Sequence, residues 1–527
     1  MTEHPSKNTA QSTSPADQGA RSAAGQEPSD STVAHPADVA PRAPQRRPGA
    51  NPAKTLLILG ASGDLTGRLL LPGFAGLLAT GKVPHLQLAA AGGPGFGEDQ
   101  WHERVKDVFG KAAEKASEEG RKVLDAVESS TSYHELDVTA PGELHSLIES
   151  LDGPVAVYFA LPPAVSQKAC QELTETGVPE GTRLVLEKPF GSSAKSAREL
   201  NDVLASLVPE RDVYRVDHFL GKGTVFNILG LRFANRLLEP VWSNLHIEKV
   251  EVFFDEDLAL ENRAGYYDHA GALRDMIQSH LLQVMALLAL NAPASLSERN
   301  LRDHIGSLLR AARVKPGYAA TTRRARYTAG SIDGRQIPNY VDEPGVDPAN
   351  ETETLAELEI EIDNMRWAGV PFILRSGKAL GKMRKEAIIT FRPVPHLPTG
   401  FHGVDEPTRL RIGFTPETLQ LEIDVNGPGD IFTLDRATLS TDMNTSTLLP
   451  YGEVLDGVLM GDPLLSVRGD IAEDCWRIVE PVLHAWEKGH VPLDEYPAGS
   501  NGPKGWASSC EWSPIETPAD HGEPHRD

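Results

Sequence analysis

A short apolar run, Thr55-Leu-Leu-Ile-Leu59, passes without a spacer into Gly60-Ala-Ser-Gly63-Asp64-Leu65-Thr-Gly67 and then into a helical stretch through Leu78. Few folds accommodate that junction. A five-residue apolar run bounded by glycine reads as a strand buried on both faces, which is the habit of parallel sheets. Further runs at Leu86 to Ala91, Val155 to Ala160 and Arg183 to Glu187 alternate with helical segments such as Gln100 to Glu118. The alternation predicts α/β structure, a doubly wound parallel sheet of Rossmann type. Beyond about residue 240 the rhythm changes. His246 to Phe254, Glu353 to Ile362, Ala387 to Phe391, Arg409 to Phe414 and Thr418 to Val425 read as strands joined mostly by hairpins and loops. With long helices at Ala270 to Leu290 and Ile471 to Lys488, they predict a larger α+β domain built on a mainly antiparallel sheet.

Composition sets the limits around this core. Residues 1–52 are rich in Ser, Ala, Pro, Thr and Gln and nearly devoid of large apolar residues, so they bury too little surface to offset chain entropy. They are expected to form a disordered tail, as are residues 514–527. Between them the expected division is a dinucleotide-binding domain over 53–216 and a substrate-binding domain, with an oligomerisation sheet, over 217–513. The net charge of −23 disfavours nucleic acid and anionic membrane as partners. The longest apolar stretch, Leu281 to Leu290, is too short for a membrane span and is interrupted by Gln283. Cys170, Cys475 and Cys510 are widely spaced without a CxxC pair, so no structural metal or disulfide framework is expected, as befits a cytoplasmic protein.

Four clusters carry chemistry. In the first, a strand ending in Gly60-x-x-Gly63 and opening a helix lets backbone amides approach a pyrophosphate. The spacing is not GxGxxG, and small-residue turns also serve packing alone. In the second, Glu187-Lys188-Pro189-Phe190-Gly191 follows a predicted strand, where a lysine points into the ligand crevice of an open sheet or simply into solvent. The third, Arg215-Val-Asp217-His218-Phe219-Leu-Gly221-Lys222, sets a carboxylate, an imidazole and an ammonium within six residues. That set suits a phosphate dianion, or an ion pair at a helix start. The fourth runs from Arg263 to Gln283 and holds Asp275 and His280 on one predicted helix. At roughly 100° per residue they stand about 140° apart and flank a ligand rather than touch. Oxidation of an alcohol needs a base for the hydroxyl proton, for which a histidine of pKa about 6.5 is suited, with a carboxylate to orient it.

Together these segments resemble glucose-6-phosphate dehydrogenases. The resemblance is carried by GASGDL at 60–65, Tyr158 to Pro163, EKPFG at 187–191, RVDHFLGK at 215–222, the 263–283 segment, Val370 to Lys378, Gly461-Asp-Pro and Trp476 to Trp486. It spans about residues 55–513. It implies oxidation of glucose 6-phosphate to the 1,5-lactone with hydride transfer to NAD or NADP, by a homodimer or homotetramer at the entry to the pentose phosphate pathway. It also implies His280 as general base and Asp217 as its partner, and His218 and Lys222 as ligands of the phosphate. Glu256 and Asp275 would accept sugar hydroxyls, and Lys188 would contact substrate and nicotinamide. Lys378 matches the first later substrate cation. The second falls at Met383, which leaves neighbouring Lys382 as its stand-in. The cofactor would rest on Gly60, Ser62, Gly63, Asp64, Leu65, Pro162 and Lys188. No metal is implied.

The chain departs from the family pattern at several points. The arginine that commonly holds the 2′-phosphate of NADP has no counterpart in Ala89 to Gly95, where Gly93 lies, so NAD is expected to serve at least as well unless a remote cation such as Arg68 substitutes. Phe219 stands for tyrosine, Gly223 for glutamate, Ser279 for asparagine and Asn501 for tryptophan. Two alternatives accompany this reading: a dehydrogenase of another sugar, as among Gfo/Idh-type oxidoreductases with an EKP motif, and a paralogue that binds metabolite without turnover.

Overall fold

The computed structural model describes residues 51–506, apart from 82, 84–85, 261–263, 428 and 444–447. All but the last two residues of the first expected tail, all of the second, and Arg263 of the fourth cluster lie outside them.

Six parallel strands form the first sheet: β1 (Thr55–Leu59), β2 (Gln87–Gly92), β3 (Ser132–Glu135), β4 (Val155–Phe159), β5 (Arg183–Glu187) and β6 (Val213–Val216). Their spatial order is β6-β5-β4-β1-β2-β3. The order reverses between β1 and β4, and the crevice at that switch point is where such sheets take ligands. Every residue of β1 and β4 is buried, which is why both read as unbroken apolar runs. Late in the chain, Ser466–Val467 returns to pair antiparallel with β6, and Tyr451 to Leu459 of the Pro450–Met460 helix join the core beneath β1.

The expected helix at Gln100 to Glu118 is two helices, Glu98–Ala113 and Glu118–Ser130. The break falls at Ser117, whose hydroxyl caps the second helix by accepting the Gly120 N–H at 3.1 Å.

The second sheet is mixed rather than uniformly antiparallel. Its spatial order is His402–Gly403, Thr433–Asp442, Thr418–Asn426, Arg409–Thr415, Arg384–Phe391, Ile247–Asp255, Phe372–Gly377, Leu355–Ile362, Thr322–Thr328 and Leu493–Pro497, with Ala312–Val314 also pairing on Leu355–Ile362. Antiparallel pairs dominate, but Ile247–Asp255 runs parallel to Phe372–Gly377. From Ala356 onward, Leu355–Ile362 alternates buried and half-buried residues, the mark of a strand with one face on the core. The long helix expected from Ala270 is broken at Gly271 (φ 70°) and then takes a π-helical path from Leu273 to Leu281 before Leu282–Ala289 resumes α geometry. Glu353 holds this junction, its carboxylate accepting the Leu273 N–H at 2.9 Å. Among the described residues no helix is long and apolar enough to cross a membrane.

Candidate active site

The carboxyl ends of the parallel strands distribute the site residues in spatial order. The glycine turn leaves β1. Gly60 adopts φ +88°, and a Cβ there would lie 2.3 Å from the Ala160 carbonyl oxygen at the end of β4. Only glycine fits such a junction. Gly63 N–H closes the turn on Gly60 O at 3.0 Å, and Thr66 Oγ1 donates to the same carbonyl at 2.9 Å. Ser62 is exposed on the turn, and Leu65 leads into the π-helical turn Thr66–Leu70. Asp64 pairs with Arg68 at 3.3 Å on the exposed surface. Pro162 leaves β4 immediately before the Pro163–Thr176 helix. A cradle of backbone with a close-approach glycine, at the switch point, fits the pyrophosphate of a dinucleotide.

Lys188 follows β5 and precedes a cis Pro189. Its ammonium donates to the Asp275 carbonyl and to Asp275 Oδ1, the latter at 3.1 Å, while Tyr266 Oη donates to that carboxylate oxygen at 3.4 Å. Burial opposes the charge on Lys188, yet Asp275 beside it holds its pKa above the ordinary value. Burial likewise works against the Asp275 carboxylate, but Lys188 and Lys378 bring it down to about 2.

Asp217 follows β6 and is fully buried. Its Oδ1 accepts His280 Nδ1 at 2.6 Å and the Phe219 N–H at 3.0 Å, and its Oδ2 accepts the Ser279 hydroxyl at 2.5 Å. An ionised carboxylate only accepts, so the imidazole proton is fixed on Nδ1 and Nε2 keeps its lone pair. Burial alone would raise the Asp217 carboxyl, but His280, then His218 and Ser279, hold it below the usual carboxylate range. Burial lowers His280 more than Asp217 raises it, so the imidazole rests neutral.

The expected 140° between Asp275 and His280 assumed α geometry. A π-helical turn closes on the fifth residue, so the pair is separated by a little over one turn and both lie on the face toward β5 and β6. No propensity signal in the sequence marks that extra residue.

Around His280 the site is aromatic. Phe219 stacks on its ring at 4.1 Å and 12°, and His218 meets it edge-on at 4.7 Å. The phenylalanine therefore offers the base a flat apolar wall and no hydroxyl. Burial first, then the neighbouring His280, push His218 down to about 3. Lys222 Nζ lies 4.3 Å from the Phe219 ring centroid, and burial followed by Lys385 lowers its pKa to about 8.

The second sheet supplies the opposite wall. Glu256 comes one residue after the strand Ile247–Asp255, and Lys378 one residue after its parallel neighbour, whose Gly377 pairs with Asp255. Lys378 Nζ donates to Glu256 Oε2 at 2.7 Å. The other oxygen accepts Lys385 Nζ at 3.0 Å. Lys382, the stand-in expected from sequence, sits exposed in the turn before Arg384–Phe391, three residues ahead of Lys385. Register decides the matter: Lys385 pairs with Phe254, which puts its ammonium 4.4 Å from the Phe254 ring on the site face. Strand alternation sends Arg384 to the other face, over Phe253. Sequence reasoning missed Lys385 because its place is set by the pairing of Arg384–Phe391 with Ile247–Asp255, which leaves no local signal.

Two further groups were not anticipated. The hydroxyl of Tyr158 donates to Glu187, and burial, opposed by hydrogen bonds from Tyr158 and Tyr451, raises that carboxyl to about 7. Tyr451 in turn stacks on His218 at 5.7 Å and 12°. Near Gly223, the Glu417 carboxylate approaches Thr224 Oγ1 at 3.5 Å, and Asn501 offers its carbonyl to Arg375 at 3.0 Å.

A doubly wound nucleotide sheet whose strand ends open on a buried carboxylate–histidine pair, faced by a lysine-rich wall, defines a dinucleotide-dependent oxidoreductase. Relatives narrow this further. A model of glucose-6-phosphate dehydrogenase, NAD binding domain, matches residues 57–227, and one of the C-terminal domain of the same enzymes matches 229–512. A glucose-6-phosphate 1-dehydrogenase of Gluconobacter oxydans (strain 621H) is 37% identical over 464 residues, covering 85% of this chain and 94% of its own length. One from Treponema pallidum (strain Nichols) is 37% identical over 476 residues, covering 85% and 92%. Among solved structures, a glucose-6-phosphate dehydrogenase in complex with its substrate glucose-6-phosphate matches with a TM-score of 0.77 at 29% identity, over 86% of this chain and 97% of that one. Glucose-6-phosphate 1-dehydrogenase from Mycobacterium avium matches with a TM-score of 0.73 at 31% identity, over 86% and 95%. The chain belongs to the glucose-6-phosphate dehydrogenase family.

Proposed function

We propose that the protein oxidises glucose 6-phosphate at C1 to 6-phosphoglucono-1,5-lactone, with a nicotinamide dinucleotide as hydride acceptor. The observation that carries this reading is the Asp217–His280 pair at the carboxyl end of the sheet that also bears the glycine turn, with one imidazole nitrogen fixed as donor and the other left basic. His280 Nε2 takes the proton of the C1 hydroxyl, and Asp217 stabilises the imidazolium that forms. Accepting the hydride that leaves C1 is the chemistry the nicotinamide supplies when bound. His218, Lys222 and Lys385 gather positive and polar donors on one side of the base, which suits a phosphate. Glu256 and Asp275, each held by lysines, are ready acceptors for sugar hydroxyls, and Lys188 positions Asp275 at the end of β5. The cradle of Gly60, Ser62, Gly63, Asp64, Leu65 and Pro162 would hold the dinucleotide.

The finer parts of the reading follow from particular features. With no basic residue between Ala89 and Gly95, NAD supports turnover at least as well as NADP. A homodimer or homotetramer is favoured by exposed Ile431, Phe432 and Leu439 at one end of the second sheet. The two described cysteines are buried free thiols, in keeping with a reducing cytoplasm. The division between the nucleotide domain (53–216) and the substrate domain (217–513) is favoured by the last parallel strand ending at Val216.

Absorbance at 340 nm with glucose 6-phosphate, run in parallel with NAD and NADP, tests the proposal. Turnover with glucose 6-phosphate and little with unphosphorylated glucose is expected. A well-folded protein that turns over neither, or glucose as well as its ester, would refute it. Rates favouring NADP tenfold or more would refute the cofactor preference alone.

A further inference from the structure

In a doubly wound sheet the residue after the second strand reads the adenosine ribose: an acidic side chain takes the 2′-hydroxyl of NAD, and a nearby arginine accommodates the 2′-phosphate of NADP. This chain has neither at that place. β2 ends at Gly92 and continues through Gly93, Pro94 and Gly95 to Phe96. A Cβ at Gly92 would already stand 3.0 Å from the Tyr133 hydroxyl, whereas one at Gly93 would meet nothing within 4 Å. The corner is therefore bare of side chain and has open space at residue 93.

A cation reaches the same corner from another element. Arg104, on the Glu98–Ala113 helix, crosses to the glycine turn, where its Nη1 donates to Ala61 O at 2.8 Å and to Gly63 O at 3.3 Å. Its guanidinium carbon lies 5.0 Å from the centroid of Phe96, whose ring meets Tyr133 edge-on at 5.6 Å. It is also 3.6 Å from where a Cβ on Gly67 would sit, at the start of the helix after the turn. Arg104 thus spans the phosphate-binding turn and the loop after β2, the two segments between which a ribose 2′ position falls. Both of its hydrogen bonds run from Nη1, and among the described residues it makes no ion pair with a carboxylate. Arg68, by contrast, is already paired with Asp64 and lies exposed in solvent.

We infer that Arg104 is the residue that recognises the 2′-phosphate in this chain, so that NADP is accepted beside NAD through an arginine on the helix after β2 instead of one on β2's own loop. This rests on the dinucleotide reading above. A planar guanidinium braced by two carbonyls and flanked by an aromatic ring keeps donors for a phosphate at little cost in ordering. The absence of an acidic residue at Gly92 to Gly95 removes the group that would repel that phosphate.

Titration calorimetry on the full chain separates recognition from bracing, using 2′,5′-ADP and 5′-ADP as probes with no reaction involved. Arg104→Ala is expected to weaken 2′,5′-ADP about tenfold or more, the scale of one charge-assisted hydrogen bond, and to leave 5′-ADP within about twofold. Arg104→Gln removes the charge and shortens the side chain while keeping a neutral amide donor, and should show the same selective loss. Arg104→Lys should recover part of it. Equal weakening of both nucleotides in Arg104→Gln, or no change in either, would overturn the inference and leave the arginine a brace for the turn. A wild-type chain that binds neither nucleotide would sink the dinucleotide reading together with it.

Discussion

The proposed nucleotide end and the proposed substrate end of the crevice are built from opposite materials. At the first, the contact surface is backbone: a left-handed glycine, a turn closed on its own carbonyl, and one arginine reaching over from a helix. At the second, it is buried charge: Asp217, Asp275, Glu256, Lys188 and Lys222 are paired or crowded so that their pKa values move, and Lys378 and Lys385 clasp the Glu256 carboxylate. A pyrophosphate is the same in every dinucleotide, and backbone amides suffice for it. A sugar phosphate must be told from its relatives and deprotonated at one hydroxyl, which takes side chains with tuned acidity.

The contrast can be broken by substitution at either end. His280→Ala is expected to lower kcat by about 10² to 10⁴-fold, the usual worth of a general base, while nucleotide affinity measured by calorimetry stays within about twofold. A similar loss of nucleotide affinity would mean that the two ends are not separate. Gly60→Ala attacks the other material. Its Cβ would collide with the Ala160 carbonyl 2.3 Å away, so denaturant titration should show a loss of about 1–3 kcal/mol, the range for overpacking, together with weakened nucleotide binding. Unchanged binding by the folded variant would show that the turn does not carry the dinucleotide.

The lysine wall sharpens the comparison further. Lys385→Ala should raise KM for glucose 6-phosphate about tenfold, in line with the loss of a charged hydrogen bond, and Lys382→Ala less than about twofold; the reverse order would favour Lys382, as expected from sequence. Lys222, lowered to about 8, is charged below that pH and neutral above it. kcat/KM for the sugar phosphate, which reports the free enzyme, should therefore fall as pH rises through about 8. Its acid limb should lie below the ordinary histidine range, because the form of His280 that works is the neutral one and burial extends it to lower pH. Ser279→Ala removes one hydrogen bond from Asp217 and should cost only about three- to tenfold in kcat, read beside an unchanged KM for the nucleotide.

How far the sequence foretold this divides along the same line. The apolar runs of β1 and β4 and the glycine turn announce themselves, because burial on both faces and left-handed backbone leave strong local signatures. His280, Asp217 and Lys188 were readable as members of motifs. Lys385 was not, since its place depends on the pairing of Arg384–Phe391 with Ile247–Asp255 across more than a hundred residues. The π-helical path that brings Asp275 and His280 to one face was hidden for a related reason: it is imposed by the Gly271 break and by Glu353, a distant residue that holds Leu273. Arg104 was invisible because nothing along the Glu98–Ala113 helix shows which carbonyls its guanidinium will find.

The central claim is that a buried carboxylate fixes one tautomer of His280 and so makes it the base. It is tested most directly by kcat of Asp217→Asn with glucose 6-phosphate, a substitution that keeps the side chain's shape and avoids leaving a cavity. The account predicts a fall of about 10³ to 10⁴-fold, by analogy with other carboxylate–histidine pairs, with nucleotide affinity intact. A variant that folds and keeps kcat within a few-fold of wild type would contradict it and send the search for the base elsewhere.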